Sequence, residues 1–567
     1  MIKSFRFTIL LGMTLAALFW GQKWFKDRSP FLSSASEFSK ESALFSENAF
    51  YYYFFKKSVS GDLDVWNNNV FTFPDSVKAP FEFNIWQELV AAQVYKLLGN
   101  STGLDFYLSI IFVTVLLILL IPGWLQSLLP RSSSVHAFIL FILLTQFEWI
   151  SRAQHFPFLR ENFGLPFFFL VVATTLINLM IPSRKALWTL GIATFFHGIF
   201  WQFSMISHAA LNACLLLIFF WERSYLESIR SIFKAQLIAL AAATLAMGFN
   251  SFYLYSWSLS LLLFGWLALR FKRWWILPFF LLPPLLLGDA SDHVVQLLQS
   301  VLFGKENFHT LLYKATPAFL PLNSQMYEIF FHNGLLILVG LSVVYLPWVK
   351  KELRPLILIP VCFSLQAAMM MRLMPLAILS WCSFWWIILG SVNLRWSRAL
   401  AALAGLMFLY QSSTQKPFNQ GLQDTSVYQS LLEQLKSKLP KSAVIATDFT
   451  LSSVLALHTP YHFILHPQYE SSESRLRNVM YHRVYAQYAP ETIAKMFDEY
   501  HVTHIIFQAS KCYGQDDLAK KFIEALHVDH RKEIPVRFCQ IYQTDVKNTY
   551  QRVGVVGPFT ILERRAE

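Results

Sequence analysis

The chain has 567 residues, of which 55% are hydrophobic and only 14% are charged. Soluble globular proteins carry about 25% charged residues, so this composition excludes an ordinary soluble protein. The formal net charge is +12, but the Lys and Arg residues cluster in short loops between long apolar segments. That distribution is typical of the orientation signal of membrane proteins and does not favour binding to nucleic acid.

The apolar segments predict about thirteen membrane-spanning helices, because roughly 17–25 apolar residues cross a bilayer as a helix. The predicted spans lie near residues 7–20, 104–129, 135–150, 164–181, 186–203, 206–221, 232–249, 251–269, 273–287, 330–348, 355–371, 374–391 and 398–410. Residues 1–410 are therefore predicted to form a polytopic α-helical transmembrane domain. The first segment also has the length of the apolar region of a signal peptide, so cleavage is an alternative there.

The charges in the loops predict the orientation of the chain. Lys3 and Arg6 precede the first span, and with the N-terminus in the cytosol the basic loops fall on the cytosolic side. The first loop, residues 21–103, follows one span and is then non-cytosolic, and an odd number of spans places the tail from residue 411 on the same side. The membrane is that of the endoplasmic reticulum in a eukaryote or the inner membrane in a bacterium, which share this topology.

The first non-cytosolic loop contains the sequence FSENAFYYYFFK, in which Glu47 precedes six consecutive aromatic residues, Phe50 to Phe55. A carboxylate on a helix at the membrane surface is suited to act as a general base. The alternative is a solvated acid on an aromatic anchor, since aromatic belts are common at this depth. Asp62, Asp64 and Asp75 in the same loop are competing candidates for the base.

Three arginines lie on the predicted non-cytosolic side, against the usual bias of basic residues: Arg152, Arg160 and Arg372. A guanidinium group at a membrane edge binds phosphate through charge-assisted, often bidentate hydrogen bonds. Snorkelling, or a structural ion pair with Glu161, is the alternative for any one of them. The sequence has no Walker loop, dinucleotide fingerprint, Gly-x-Ser-x-Gly elbow or His-Glu-x-x-His motif. A lipid-borne phosphate donor is therefore favoured over a soluble nucleotide.

The tail, residues 411–567, changes character and predicts a compact α/β domain. Candidate strands are SAVIAT, HFIL, HIIFQ, FCQIY and FTILE, and candidate helices are SVYQSLLEQLKSKL and ETIAKMFDEY. Asp424 is the predicted N-cap of the first of these helices, and Pro490 the first-turn proline of the second. Cys512 and Cys539 either form a disulfide on the oxidising side of the membrane or remain two buried thiols.

Motifs spread from residue 45 to residue 560 follow an order that resembles one known family. FSENAFYYYFFK is similar to an acidic, Tyr-rich segment after the first span, and SRAQHFPFLRENFGLPF to an Arg and Pro-Leu-Arg-Glu pattern. FWQFS, MMMRL and FILHPQYESSESRLRNVMYHRVYAQY are similar to later segments. The family is that of the dumpy-like, or Q-cell neuroblast polarisation, tryptophan C-mannosyltransferases, of the GT-C class. HFPFLRE departs from the pattern, because it lacks a second consecutive proline and has His155 where an aromatic residue is usual.

The resemblance implies a GT-C membrane enzyme that transfers mannose from dolichyl phosphate mannose to C2 of an acceptor tryptophan, usually in Trp-x-x-Trp. It implies that Glu47 is the catalytic carboxylate. The residues expected to bind the donor phosphate are Arg152, Arg160 and Arg372, with Arg475 and Arg477 from the tail. The residues expected to shape the acceptor site are His155, Glu161, His466 and Glu470. No metal or other cofactor is expected, because arginines can stabilise the departing phosphate.

Two other classes of function remain open at the level of the sequence. A glycosyltransferase of the same architecture with a hydroxyl, amide or lipid acceptor would carry the same donor features. A non-enzymatic membrane scaffold would need neither Glu47 nor the arginines. A transporter is disfavoured, because the spans hold few charges and no obvious pair of interrupted helices.

Overall fold

The computed structural model of the protein describes residues 41, 46–62, 64, 66–102, 124–125, 128, 160–249, 254, 256–287, 346–349, 351–369, 373–391, 426–467, 477, 498–508 and 550–565. These residues divide into two compact units. The helical unit contains the described residues from 101 to 391. The sheet unit contains those from 41 to 100 and from 426 to 565.

The described residues include thirteen α-helices and five strands, numbered in chain order, and four 3-10 segments. The helices are α1 (Ser46–Ser60), α2 (Ala79–Glu82), α3 (Trp86–Thr102), α4 (Glu161–Met180), α5 (Arg184–Phe200), α6 (Ser204–Trp221), α7 (Leu226–Ala246), α8 (Trp257–Phe271), α9 (Leu282–Leu287), α10 (Leu358–Met369), α11 (Met374–Ser391), α12 (Ser426–Lys438) and α13 (Phe449–His458). The strands are β1 (Val444–Thr447), β2 (His462–Phe463), β3 (His504–Gln508), β4 (Tyr550–Val556) and β5 (Phe559–Arg564).

Apolar helices pack side by side in the helical unit. α5 lies against α4 and α7, α6 against α8 and α10, and α11 against α4 and α10. α5 begins after Ser183, whose hydroxyl oxygen accepts a hydrogen bond from the amide of Ala186 at 3.1 Å, as an N-cap residue does. Within the described residues, three stretches are long and apolar enough to cross a membrane: Phe163–Met180, Ser204–Trp221 and Arg223–Ala246.

The predicted spans that fall on described residues correspond to helices. Those near 164–181, 186–203, 206–221, 232–249, 251–269, 355–371 and 374–391 overlap α4 to α8, α10 and α11. Those near 7–20, 104–129, 135–150, 330–348 and 398–410 lie wholly or mostly outside the described residues. The total of about thirteen spans therefore stays a prediction.

One predicted span differs from the structure in its local conformation. Residues 273–287 form a 3-10 segment, Trp274–Leu281, followed by the short helix α9. Pro278 lies inside the 3-10 segment, and Pro283 and Pro284 follow in α9. Proline has no amide hydrogen and its ring clashes with the preceding turn, so these three prolines disfavour a regular α-helix through this segment.

The strands of the sheet unit form one mixed sheet in the order β2-β1-β3-β5-β4. β1 is parallel to β2 and β3, whereas β5 is antiparallel to β3 and β4. α13 links β1 to β2 and begins after Asp448, whose carboxylate accepts a hydrogen bond from the amide of Thr450 at 2.8 Å. The core between these elements includes Val444, Ile505 and Leu562.

The tail elements agree with the prediction at most described positions. SAVIAT, HFIL, HIIFQ and FTILE correspond to β1, β2, β3 and β5, and SVYQSLLEQLKSKL corresponds to α12. α13 and β4 are additional elements that were not predicted from the sequence. FCQIY, most of ETIAKMFDEY, Asp424 and the boundary near residue 410 lie outside the described residues and stay predictions.

Residues 68–77, from the predicted first loop, pack on the edge of this sheet. The amide of Phe463 in β2 donates a hydrogen bond to the carbonyl of Val70 at 2.7 Å. The rings of Phe73 and His462 lie 4.7 Å apart between centroids, and Phe73 also packs on the core of the sheet. The first loop and the tail therefore fold as one unit.

A pair of glycines in the helical unit gives a matched test of its packing. A Cβ at Gly265 would lie 2.6 Å from Cε2 of the buried Phe233, whereas one at Gly191 would meet nothing closer than 3.9 Å. We expect Gly265→Ala to destabilise the protein by about 1–3 kcal/mol through overpacking, and Gly191→Ala to cause no loss of stability. Thermal unfolding in detergent measures both changes. Equal effects of the two variants would contradict this packing.

Candidate functional site

Glu47 lies in the first turn of α1 and is partly buried. The amides at a helix N-terminus favour a negatively charged side chain there. The six aromatic side chains that follow are each at most 5% exposed. The aromatic run is thus part of the core of the sheet unit, which differs from the alternative of an interfacial anchor. The position of α1 at the membrane surface stays a prediction.

Phe50, one turn after Glu47, connects α1 to the rest of the sheet unit. Its ring centroid lies 4.8 Å from that of Phe71 and 5.2 Å from that of Phe83. It also stacks on the imidazole of His466, with centroids 5.6 Å apart and planes inclined by 23°. Aromatic rings bury large areas and prefer such geometries. These contacts fix the helix that bears Glu47.

His466, which the sequence assigned to the acceptor site, is only 2% exposed. Burial, together with the positive charge of Arg477, lowers its pKa to about 3. The imidazole is therefore neutral near pH 7 and packs beneath α1, against Phe50 and Phe83. It shapes this region through its packing, and a direct role in acceptor binding stays a prediction.

Arg477 holds the 68–77 segment against the sheet unit. It is 2% exposed and donates hydrogen bonds to the carbonyl of Phe73 at 3.0 Å and to Oδ2 of Asp75 at 2.7 Å. Its guanidinium group also lies 4.3 Å from the centroid of the Tyr500 ring. These three contacts are with the protein itself, and the expected role of Arg477 in donor binding stays a prediction.

A buried polar network ties the middle of α1 to α13. The carboxylate of Glu41 accepts hydrogen bonds from the hydroxyl of Tyr52 at 2.8 Å and from Nζ of Lys56 at 2.7 Å. Nδ1 of His458 in α13 lies 3.7 Å from the other carboxylate oxygen. Burial lowers the pKa of His458 to about 4, and the charges of Lys56 and Lys436 contribute. The imidazole is thus neutral and forms no ion pair with Glu41 near pH 7.

In the helical unit, Arg160 directly precedes α4 and is 5% exposed. Its guanidinium NH1 donates to Oε1 of Gln202 at 3.3 Å, and Gln202 lies in the turn between α5 and α6. The Cβ of Trp201 would lie 2.6 Å from a Cβ at Gly164, so the absence of a side chain at Gly164 lets this turn approach α4. Glu161, in the first turn of α4, is 2% exposed.

The predicted site residues thus fall into separate groups. Glu47, His466 and Arg477 belong to the sheet unit, and Arg160 and Glu161 belong to the helical unit. The remaining predicted residues lie outside the described residues: Arg152, His155, Arg372, Arg475, Glu470, Cys512 and Cys539. Gln202 was not predicted as the partner of Arg160, although it lies in the motif FWQFS, one of those that carry the family resemblance.

The fold is similar to that of solved GT-C oligosaccharyltransferases. A structure of the archaeal oligosaccharyltransferase AglB from Archaeoglobus fulgidus with an inhibitory peptide and a dolichol-phosphate matches with a TM-score of 0.60 and 11% identity, over 98% of this chain and 74% of that chain. A structure of the oligosaccharyltransferase from the same organism, tethered to an acceptor peptide containing the NVT sequon, matches with a TM-score of 0.54 and 10% identity, over 92% and 70% of the two chains.

These matches define a membrane protein of GT-C fold. The family model Dpy19, described as Q-cell neuroblast polarisation, matches residues 11–276 and 356–564. The chain belongs to the Dpy19 family, which confirms the predicted family. The protein is accordingly a membrane glycosyltransferase.

Two substitutions test the tie formed by Arg477. We expect Arg477→Met to destabilise the protein by about 1–3 kcal/mol, because it leaves the carbonyl of Phe73 without this donor. Asp75→Asn should cost at most about 1 kcal/mol, since Asp75 is largely exposed and exposed ion pairs contribute little. Thermal unfolding compares the two variants, and a larger loss for Asp75→Asn would contradict this assignment.

A pH series tests the burial of His466. Its pKa is about 3 in the folded protein and about 6.5 in the unfolded chain, so the unfolded state binds the proton first as the pH falls. Stability is therefore lost from pH 6.5 downward, by about 1.4 kcal/mol per pH unit. We expect His466→Phe to lose about 2 kcal/mol less than the wild type between pH 7 and pH 5. Parallel pH profiles of the unfolding free energy would show that His466 is not buried in this way.

Proposed function

We propose that the protein transfers mannose from a polyprenyl phosphate mannose, such as dolichyl phosphate mannose, to C2 of a tryptophan in an acceptor polypeptide with a Trp-x-x-Trp sequence. The family and the GT-C fold support the class of reaction. The AglB structure holds an inhibitory peptide and a dolichol-phosphate, which supports a lipid-linked donor and a polypeptide acceptor. The resemblance of the motifs supports mannose and tryptophan.

The observation that carries the proposal is the position of Glu47. It is a partly buried carboxylate in the first turn of a helix whose next eight residues, Asn48 to Phe55, are each at most 5% exposed. A reactive group on a rigid, packed element is held more closely than one on a loop. Asp62 and Asp64, two of the alternative bases, are exposed, and the third, Asp75, is bonded to Arg477.

The proposed reaction has a defined balance of bonds. The bond between the anomeric carbon and the phosphate oxygen breaks, and the phosphate leaves with the electron pair as the polyprenyl phosphate. The indole C2 forms the new carbon–carbon bond and then loses its proton to the carboxylate of Glu47, which restores aromaticity. The reaction consumes no redox equivalents.

Arg160 is the described residue best suited to the phosphate of the donor. Its guanidinium group lies at the N-terminal end of α4, and one of its donors is held by Gln202. Positive charge aimed at the departing phosphate stabilises the charge that develops in the transition state. With the predicted contributions of Arg152 and Arg372, this chemistry uses the lipid-linked donor as a substrate and needs no further cofactor.

The proposal places the reaction on the non-cytosolic side of the membrane. It keeps residues 1–410 as the transmembrane domain and residues 411–567 as a domain on that side, together with the 21–103 loop. The basic residues at the opposite ends of the helices, such as Arg184, Lys185 and Arg223, support this orientation. The membrane is that of the endoplasmic reticulum or, in a bacterium, the inner membrane.

A conservative substitution tests the role of Glu47. We expect Glu47→Gln to lower the rate of mannose transfer to a Trp-x-x-Trp peptide by at least about 100-fold, since it removes a general base, while binding of dolichyl phosphate stays unchanged. Mass spectrometry of the peptide measures the transfer. Asp62→Asn is the control, because Asp62 is an exposed acid just beyond the same helix. Full activity of Glu47→Gln would remove Glu47 from this role.

A further inference from the structure

Two histidines join α5 and α6 inside the helical unit. Nδ1 of His197 lies 3.0 Å from Nε2 of His208, and the two side chains are 0% and 1% exposed. One imidazole donates its N–H to the lone pair of the other, which requires at least one neutral ring. The contact is directional, whereas the apolar packing around it is not. It therefore fixes the register of α5 against α6.

Each histidine of the pair has a second ring nitrogen that takes no part in this hydrogen bond. Nε2 of His197 and Nδ1 of His208 have no hydrogen-bond partner among the described residues. A buried polar atom without a partner costs about 1–3 kcal/mol, so the pair is not an optimal way to stabilise an apolar bundle. A polar contact between helices often serves instead to specify one arrangement, and the neighbours of the pair indicate which arrangement that is.

The pair lies next to the turn that carries Gln202. His197 and Trp201 are one helical turn apart, about 6 Å along the axis, and their rings lie 5.8 Å apart between centroids. The amide of Trp201 donates to the carbonyl of His197 at 3.2 Å. His208 is one turn into α6 from Ser204, whose amide donates to the carbonyl of Trp201 at 2.9 Å. One histidine thus lies in the helix before the turn and the other in the helix after it.

The same turn is pressed against the start of α4. The close approach of Trp201 to Gly164 leaves no room for a side chain at that glycine. Gln202, the next residue, accepts the hydrogen bond from the guanidinium group of Arg160. A shift of α5 relative to α6 would move Gln202. The guanidinium group of Arg160 would then lose or change the hydrogen bond that it donates to Gln202.

We propose that His197 and His208 are positioning residues for Arg160, and that their hydrogen bond sets the affinity of the enzyme for the phosphate of its lipid-linked donor. The coupling runs from the pair through the 201–203 turn and Gln202 to the guanidinium group. This rests on the proposed function for the identity of the ligand. The claim that the histidine pair holds the 201–203 turn in place does not depend on the proposed function.

The chain offers matched variants for the test. His208→Leu and His197→Leu each remove the hydrogen bond, whereas in His208→Gln the terminal amide can replace Nε2, and in His197→Asn it can replace Nδ1. Asn212→Leu is the control, since Asn212 lies one turn further along α6, is fully buried, and has no partner for its side-chain amide among the described residues.

The first readout is amide hydrogen exchange in the peptide that spans residues 200–207, measured on the full-length protein in detergent. We expect exchange of the turn amides, such as those of Ser204 and Met205, to become about tenfold faster in His208→Leu and His197→Leu. The Gln and Asn variants and Asn212→Leu should keep the wild-type rate. Unchanged exchange in both Leu variants, or the same increase in Asn212→Leu, would overturn the proposal whatever the enzyme binds.

The second readout is binding of dolichyl phosphate. We expect His208→Leu to weaken it roughly 3- to 10-fold, as loss of one hydrogen bond between membrane helices would, with no change in the KM for the acceptor peptide. In an Arg160→Lys background the same substitution should have no further effect, because both act through one guanidinium group. Independent, multiplying losses would overturn the proposal. A wild-type protein that binds no dolichyl phosphate would instead contradict the proposed function, and the exchange data would still decide the role of the pair.

Discussion

The burial of six consecutive aromatic side chains in α1 is the constraint on which the sheet unit depends. A helix normally presents one apolar face, but every residue from Phe50 to Phe55 is buried, so α1 must be surrounded. The surroundings come from distant parts of the sequence: the 68–77 segment, α13 and the loop that holds His466. The acid in the first turn of α1 is therefore held by contacts along most of the helix that bears it.

In the helical unit, different contacts fix the position of Arg160. Apolar helices slide and rotate against one another at low cost, so directional contacts decide their register. The bond between Arg160 and Gln202, the bond between His197 and His208, and the fit of Trp201 against Gly164 are such contacts. They gather at one turn.

Local pattern was sufficient for much of this architecture. The spans that became α4 to α8 and α11 are long enough for their composition to identify them, and β1, β3 and β5 are short apolar runs between turn residues. α13 was missed although Asp448 and Thr450 carry an N-cap signal, because FTLSSVLALH mixes hydroxyls with apolar residues. β4 was missed because YQRVGVV is an edge strand whose exposed residues give no clear alternation.

The local sequence pattern could not predict which residues contact the predicted site residues. The sequence singled out Arg160 as a charge against the usual bias, and the family resemblance added Arg477, but nothing near them in the chain indicated Gln202 or Asp75. The burial of the aromatic run was likewise misread, since an aromatic segment beside a membrane is also typical of an interfacial anchor. Which of the two applies depends on whether distant segments cover it, and that is a property of the tertiary fold.

The most direct test of the central claim follows the hydrogen atom at C2 of the acceptor indole. Purified protein would be incubated with dolichyl phosphate mannose and a Trp-x-x-Trp peptide that carries deuterium at indole C2, and the product would be analysed by mass spectrometry. Transfer to C2 replaces the deuterium, so the mannosylated tryptophan should lack the label and keep its sugar through fragmentation. A glycosylated product that retains the deuterium, or no product at all, would contradict tryptophan C-mannosylation by this protein.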